Sequence, residues 1–242
     1  EAFPTPAYWA YQVYARRLTG ERINYKLGST LKEEVGACLL GGHGIPSTIG
    51  LAAYHHVKAH GAFGDEPPSE DQLLEWLCEP MALDGRLVRY RFAKQKARYL
   101  AAALQKLAAE EAPIQSGRAL RDWLLDVPGI GYKTASWVAR NWLDADDVAI
   151  LDIHILRAGL LGKFFESHLT VERHYLQLEE QFIRFSKGLG VRASELDALI
   201  WLEMMSSPAT VHSIMGMGQA SATSAQRPKK AKSDTNQLSL IV

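Results

Sequence analysis

Two helical stretches, Leu120 to Leu125 and Tyr132 to about Trp142, are separated by Asp126-Val-Pro-Gly-Ile-Gly131. Pro128 cannot continue the first helix, because its ring fixes φ and it has no N–H to donate. The chain must reverse within Pro128-Gly-Ile-Gly131, and the spacing predicts a helix–hairpin–helix. Gly129 and Gly131 permit backbone angles closed to other residues. They also let backbone N–H groups approach an anion at the start of the second helix. A nucleic-acid phosphate suits such a place, and that contact carries no sequence information. Ile130 is expected between the two helices. The alternative is a plain αα-turn with a glycine cap and a solvated Lys133.

Helical spacing dominates elsewhere. Tyr8 to Leu18 is apolar at helical intervals. Thr30 with Glu33 forms a capping-box candidate for a helix to Leu40, and Ser69 with Gln72 forms another for a helix to about Cys78. Ser47 is expected to cap a helix through about His60. Phe92 to Glu111 is long and alanine-rich. Asp152 opens a further helix, followed by Thr170 to Lys187 and Ser194 to Met205. No run alternates convincingly as strand, although Val148 to Leu151 reads as a short extended piece. The expected class is all-α. From about Ser206 the composition changes, and Ser221 to Asn236 is polar, with Pro228-Lys-Lys-Ala-Lys232, and reads as a flexible tail.

Composition narrows the function classes. Lys plus Arg and Asp plus Glu both number 27 in 242 residues, so a wholly electrostatic nucleic-acid binder is disfavoured, while a local basic face is not. Cys38 and Cys78 supply neither a disulfide framework nor a four-cysteine metal or iron–sulfur site. No apolar run reaches the roughly 18 residues of a membrane span, and no signal peptide is visible. A reducing, cytoplasmic setting is expected. The sequence begins at Glu1 and reads as trimmed or as a fragment.

Asp152 follows Lys133 by 19 residues, in Leu151-Asp-Ile-His154, where an acid interrupts an apolar run at a helix start. Taken alone, Asp152 is as well explained as an N-cap. Together, Val127-Pro-Gly-Ile-Gly-Tyr-Lys133 and Leu-Asp-Ile-His resemble the signature of helix-hairpin-helix (HhH-GPD) DNA glycosylases. The chain is most similar to the archaeal-type branch of 8-oxoguanine DNA glycosylase/AP lyases. The absence of a cysteine cluster sets it apart from the endonuclease III branch. The resemblance implies a two-lobed all-α fold over residues 1–210, with the hairpin at 124–142, the active site between the lobes, and a tail over 211–242. It implies Lys133 as the nucleophile of a bifunctional enzyme and Asp152 as the carboxylate that stabilises charge on the sugar. His154, by the same resemblance, contacts a phosphate beside Gly129 and Gly131; otherwise it is a surface histidine. No cofactor and no metal are expected.

Lysine must lose its proton to act as a nucleophile. Attack at the sugar C1′ then expels the base and leaves a Schiff base, and β-elimination cuts the strand. The base must first be flipped out of the duplex. Trp137 lies one helical turn after Lys133, and Asp197 and Trp201 are likewise four apart. Carboxylate and indole can read a purine together, and this pair resembles the recognition helix of the archaeal-type enzymes. Ordinary core is the alternative for both tryptophans. The resemblance places residues that fill the gap left by the flipped base in the Leu40-Gly-Gly-His-Gly-Ile-Pro46 loop and makes His43 the candidate, against a tight loop with a surface histidine. Arg89, Arg91, Lys94, Lys96 and Arg98 read either as phosphate contacts or as a solvated face. The terminal Gln237-Leu-Ser-Leu-Ile-Val242 resembles the short peptide that binds the bacterial sliding clamp; an inert tail is the alternative. The expected partner is double-stranded DNA with a damaged base, bound by a monomer without a membrane, at the nucleoid. Competing readings are a glycosylase for another modified base and a non-catalytic helix-hairpin-helix DNA-binding module.

Overall fold

The computed structural model describes residues 3–20, 25–42 and 44–206. These hold ten helices: α1 (Pro6–Thr19), α2 (Leu31–Leu40), α3 (Ser47–Ala59), α4 (Glu70–Cys78), α5 (Ala93–Ala109), α6 (Gly117–Leu124), α7 (Tyr132–Leu143), α8 (Ile153–Leu161), α9 (Val171–Gly188) and α10 (Ala193–Ser206). All ten match helices expected from the sequence. Two short strands, β1 (Met81–Leu83) and β2 (Arg86–Val88), stand between α4 and α5.

The chain divides into two compact units. One is the continuous stretch Asn24–Ile150, which carries α2 to α7 and the strands. The other joins residues up to Ile23 with those from Leu151 onward, and carries α1 and α8 to α10. In the continuous unit, α5 buries Ala97, Leu100, Ala101 and Leu104, a single stripe at helical spacing. That stripe joins Val35, Leu39, Tyr54, Leu73, Leu77, Leu120, Leu124 and Val138 in one core. In the other unit, Thr5 caps α1 by accepting from Tyr8 N at 3.3 Å, and Gly20 ends the helix at a φ of 74°. Trp9 and Val13 are its buried face. Tyr8 Oη donates to Glu203 Oε2 at 3.2 Å and Arg17 Nη2 to Glu195 Oε2 at 2.6 Å, which tie α1 to α10.

The caps correct the sequence reading in two places. Ser69 and Gln72 form both bonds of a capping box on α4. Thr30 does accept from Glu33 N at 3.2 Å, but the Glu33 carboxylate turns to Ser29 N at 2.6 Å, Lys58 Nζ at 2.9 Å and Tyr54 Oη at 3.2 Å. Ser47 is not a cap. Pro46 holds that position, and the Ser47 hydroxyl is buried with no hydrogen-bond partner among the described residues.

The strands are a third correction. They pair antiparallel, with Met81 opposite Val88 and Leu83 opposite Arg86. Asp84 and Gly85 between them both take positive φ, at 50° and 74°. That is the geometry of a two-residue hairpin turn, and an Asp-Gly pair between apolar residues is its sequence signal. Val148 to Leu151 forms no strand. No described helix is long and apolar enough to cross a membrane.

Candidate active site

The hairpin is built as its sequence requires. Ser116 accepts from Ala119 N at 3.1 Å and starts α6. Leu120, Leu124, Val127 and Ile130 turn inward against Ala135, Val138 and Ala139 of α7. Ile130 is thus core, as expected. The two glycines differ. Gly129 has a φ of 82°, and a side chain there would run into the Tyr99 ring of α5. Gly131 has a φ of −100° and a ψ of 178°, open to any residue, so the expectation that both glycines need special angles holds only for Gly129. Among the described residues, no atom lies within 4 Å of where a Gly131 Cβ would stand. Gly131 is the N-cap of α7 and brings no side-chain cap, so the helix start is left to its backbone N–H groups.

Lys133 stands half-buried in the first turn of α7. Trp137 follows one turn later, partly buried against the core. Its indole reaches the Leu40–Pro46 loop, because a Cβ on Gly41 would lie 3.4 Å from Trp137 Cη2. Two donors, buried Tyr90 and partly buried Lys96, anchor that loop. Tyr90 Oη donates to Leu40 O at 2.6 Å, and Lys96 Nζ to Leu39 O at 2.5 Å and Gly41 O at 3.4 Å. Burial lowers the pKa of Lys96 and raises that of Tyr90. Lys96 therefore serves the carbonyls at the end of α2 rather than an exposed basic face. Arg89, Arg91, Lys94 and Arg98 are exposed, and Arg98 lies over the Tyr99 ring that Gly129 abuts, 5.2 Å from its centroid. His43 falls outside the described residues.

Asn141, later on α7, donates to Glu34 Oε1 at 2.7 Å. Glu34 is completely buried and also accepts from Leu27 N at 2.7 Å and Gly28 N at 2.9 Å. This carboxylate fixes α7 against α2. The sequence offered one signal for it, two adjacent acids leading directly into the uncharged run Val35 to Leu40.

The other unit holds the remaining candidates. Asp152 caps α8, its Oδ1 accepting from His154 N at 2.8 Å and Ile155 N at 3.1 Å. The Leu151 N–H beside it donates to Tyr175 Oη at 3.1 Å. His154 meets Trp201 edge to face, with ring centroids 6.5 Å apart. Asp197, one turn before Trp201 on α10, is 2% exposed. The predicted residues thus gather in two sets, Lys133 and Trp137 with the hairpin and loop in one unit, and Asp152, His154, Asp197 and Trp201 in the other.

Comparison with known proteins adds independent findings. Residues 70–191, half of the chain, match the family model Ogg-HhH, described as 8-oxoguanine DNA glycosylase. That segment includes Lys133, Trp137, Asp152 and His154 and ends before Asp197. An 8-oxoguanine DNA glycosylase/AP lyase of Saccharolobus islandicus is 33% identical over 123 residues, which cover 47% of this chain and 58% of that protein. The chain thus matches little more than half the length of that relative. In fold it is similar to the crystal structure of Methanocaldococcus jannaschii 8-oxoguanine DNA glycosylase, with a TM-score of 0.61 at 22% identity, covering 84% of this chain and 94% of that one. The same archaeal protein in complex with a 15mer DNA containing 8-oxoguanine matches with a TM-score of 0.52 at 21% identity, over 83% and 91% of the two chains. With half its length under the family model and the helical hairpin in place, this chain belongs to the 8-oxoguanine DNA glycosylase family.

Proposed function

We propose that the chain is a bifunctional DNA glycosylase/AP lyase that excises an oxidised purine, 8-oxoguanine, from duplex DNA in base excision repair. The observation that carries this reading is Lys133 in the first turn of α7, directly after a hairpin whose outward glycine leaves the helix start open. Family membership and the DNA complex of the M. jannaschii protein support it.

In this reading the backbone around Gly129 and Gly131, with His154, holds phosphates. The neutral Lys133 amine attacks C1′ of a flipped nucleotide, and the bond from C1′ to the base breaks as the bond to Nζ forms. The base leaves with a proton. Loss of the amine proton and opening of the sugar ring give the Schiff base. Removal of a C2′ proton then expels the 3′ phosphate. Asp152 stabilises the positive charge that builds on the sugar, a carboxylate role compatible with its capping bonds. Asp197 pairs with the purine edge, and Trp137 and Trp201 flank its faces. His43 fills the vacated stack. The enzyme acts as a monomer at the nucleoid, and residues 237–242, outside those described, engage a bacterial sliding clamp.

Borohydride trapping on an 8-oxoguanine duplex tests this. A covalent complex is expected, absent in Lys133→Gln, with single-turnover base release at least about a hundredfold slower in Asp152→Asn. No trapping, together with unchanged DNA binding in Lys133→Gln, would leave a non-catalytic binding module. Trapping on a different lesion only would reassign the base.

A further inference from the structure

α3 carries two histidines one turn apart near its C-terminal end. His56 lies in the last turn and His60 is the C-cap. Both Nε2 atoms approach one carboxylate oxygen, Glu79 Oε2, at 3.0 Å and 3.2 Å. The three prospective ligand atoms all lie within 4.8 Å of one another. Glu79 is the C-cap of α4, so the cluster joins the ends of two helices within the continuous unit. Neighbours hold the rings. The His60 ring stacks on Trp76 of α4, with centroids 5.1 Å apart and planes 12° from parallel, and meets His56 edge to face at 4.9 Å. The site residues proposed above include none of these.

We infer that His56, His60 and Glu79 form a site for a divalent transition-metal ion of the zinc class. Two imidazoles and a carboxylate are a donor set that Zn²⁺ takes readily, with water completing the shell. Ligand bonds of about 2.0–2.1 Å at a tetrahedral ion place the donor atoms about 3.3–3.4 Å apart. The two His–Glu separations need only a small outward shift to reach that spacing, and the two imidazole nitrogens, within 4.8 Å of each other, would close toward it. Each imidazole would move its N–H to Nδ1 and offer the Nε2 lone pair. The three side chains are 21%, 34% and 41% exposed, so an ion can reach them from solvent. The bound ion would act as a clip between α3 and α4, binding the folded chain only and stabilising it by mass action.

The competing account is that one carboxylate oxygen simply accepts two imidazole N–H bonds. Glu79→Gln separates the two, because its amide oxygen keeps an acceptor and loses the anionic ligand. The full chain, freed of metal with a chelator, is titrated with Zn²⁺ by calorimetry and followed by thermal unfolding. One ion per chain is expected, with the unfolding midpoint raised by about 5–10 °C at a hundredfold excess of ion over Kd. Glu79→Gln, His56→Ala and His60→Ala should each weaken binding at least about tenfold, and Cys78→Ser, next to Glu79 in sequence, should leave it unchanged. The proposal is overturned if wild-type chain shows no saturable binding, or if binding survives in the His56→Ala/His60→Ala double variant.

Discussion

Gly129 and Gly131 stand two positions apart and answer to different constraints. Gly129 is held by the protein, through its positive φ and the Tyr99 ring. At Gly131 no described atom lies within 4 Å of where a Cβ would stand, so the glycine there answers to no described packing constraint, and the proposed approach of a DNA phosphate supplies one. The two alanine variants should therefore part company. Gly129→Ala should lose about 3 kcal/mol or more of stability, from backbone strain and the ring overlap. Gly131→Ala should unfold within about 0.5 kcal/mol of wild type yet bind a lesion duplex about tenfold more weakly, having lost a backbone–phosphate bond. Urea titration and fluorescence anisotropy read the two effects, and wild-type DNA affinity in Gly131→Ala would remove the hairpin from the interface. The placements of Lys133 in the first turn of α7 and of Asp152 at the start of α8 were legible, because a glycine turn and an acid before an apolar run each mark a helix start. Lys96 was not. It has the same side chain as its exposed neighbour Lys94, and only its burial under the α2 carbonyls decides its role.

At the scale of elements, most helices were legible because an apolar stripe or a cap marks them, whereas α10, buried at most of its positions, shows itself only as an unbroken run without Gly or Pro. Caps were legible where the reciprocal bond is local, as for Ser69 with Gln72. They were not where a tertiary partner competes, as Lys58 and Tyr54 do for Glu33. The β-hairpin escaped notice because its strands are three residues each, too short to show alternation, although Asp84-Gly85 marks the turn. Two serines that look alike in sequence give a direct test. Ser69→Ala removes a capping box and should cost about 1 kcal/mol. Ser47→Ala removes a buried hydroxyl with no partner among the described residues and should be neutral or slightly stabilising. Equal losses in denaturant titrations would show that Ser47 does cap α3.

For the whole molecule, acid sensitivity follows from Glu33. Burial acts to raise its pKa, but Lys58, the Ser29 N–H and Tyr54 outweigh it and hold the carboxyl below its ordinary 4.5. A folded value below the unfolded one stabilises fully above the unfolded value and is lost as pH falls through the folded one. Lys58→Met should thus cost about 0.5–1 kcal/mol near neutral pH, with the gap to wild type closing as pH drops below 4.5. Urea midpoints at neutral and acid pH decide the matter; an undiminished gap in acid would show that Lys58 stabilises by packing alone. The division into units also sets a timetable for synthesis. Asn24–Ile150 is one uninterrupted stretch with a core of its own, complete before any of α8 to α10 exists. α1 is made before that stretch, yet its partners Glu195 and Glu203 lie 178 and 195 residues downstream of Arg17 and Tyr8. At about 5–20 residues per second, α1 waits on the order of ten to forty seconds on the ribosome. Throughout that interval α1, with its Trp9 and Val13 face, stands without the α10 it packs against in the folded unit.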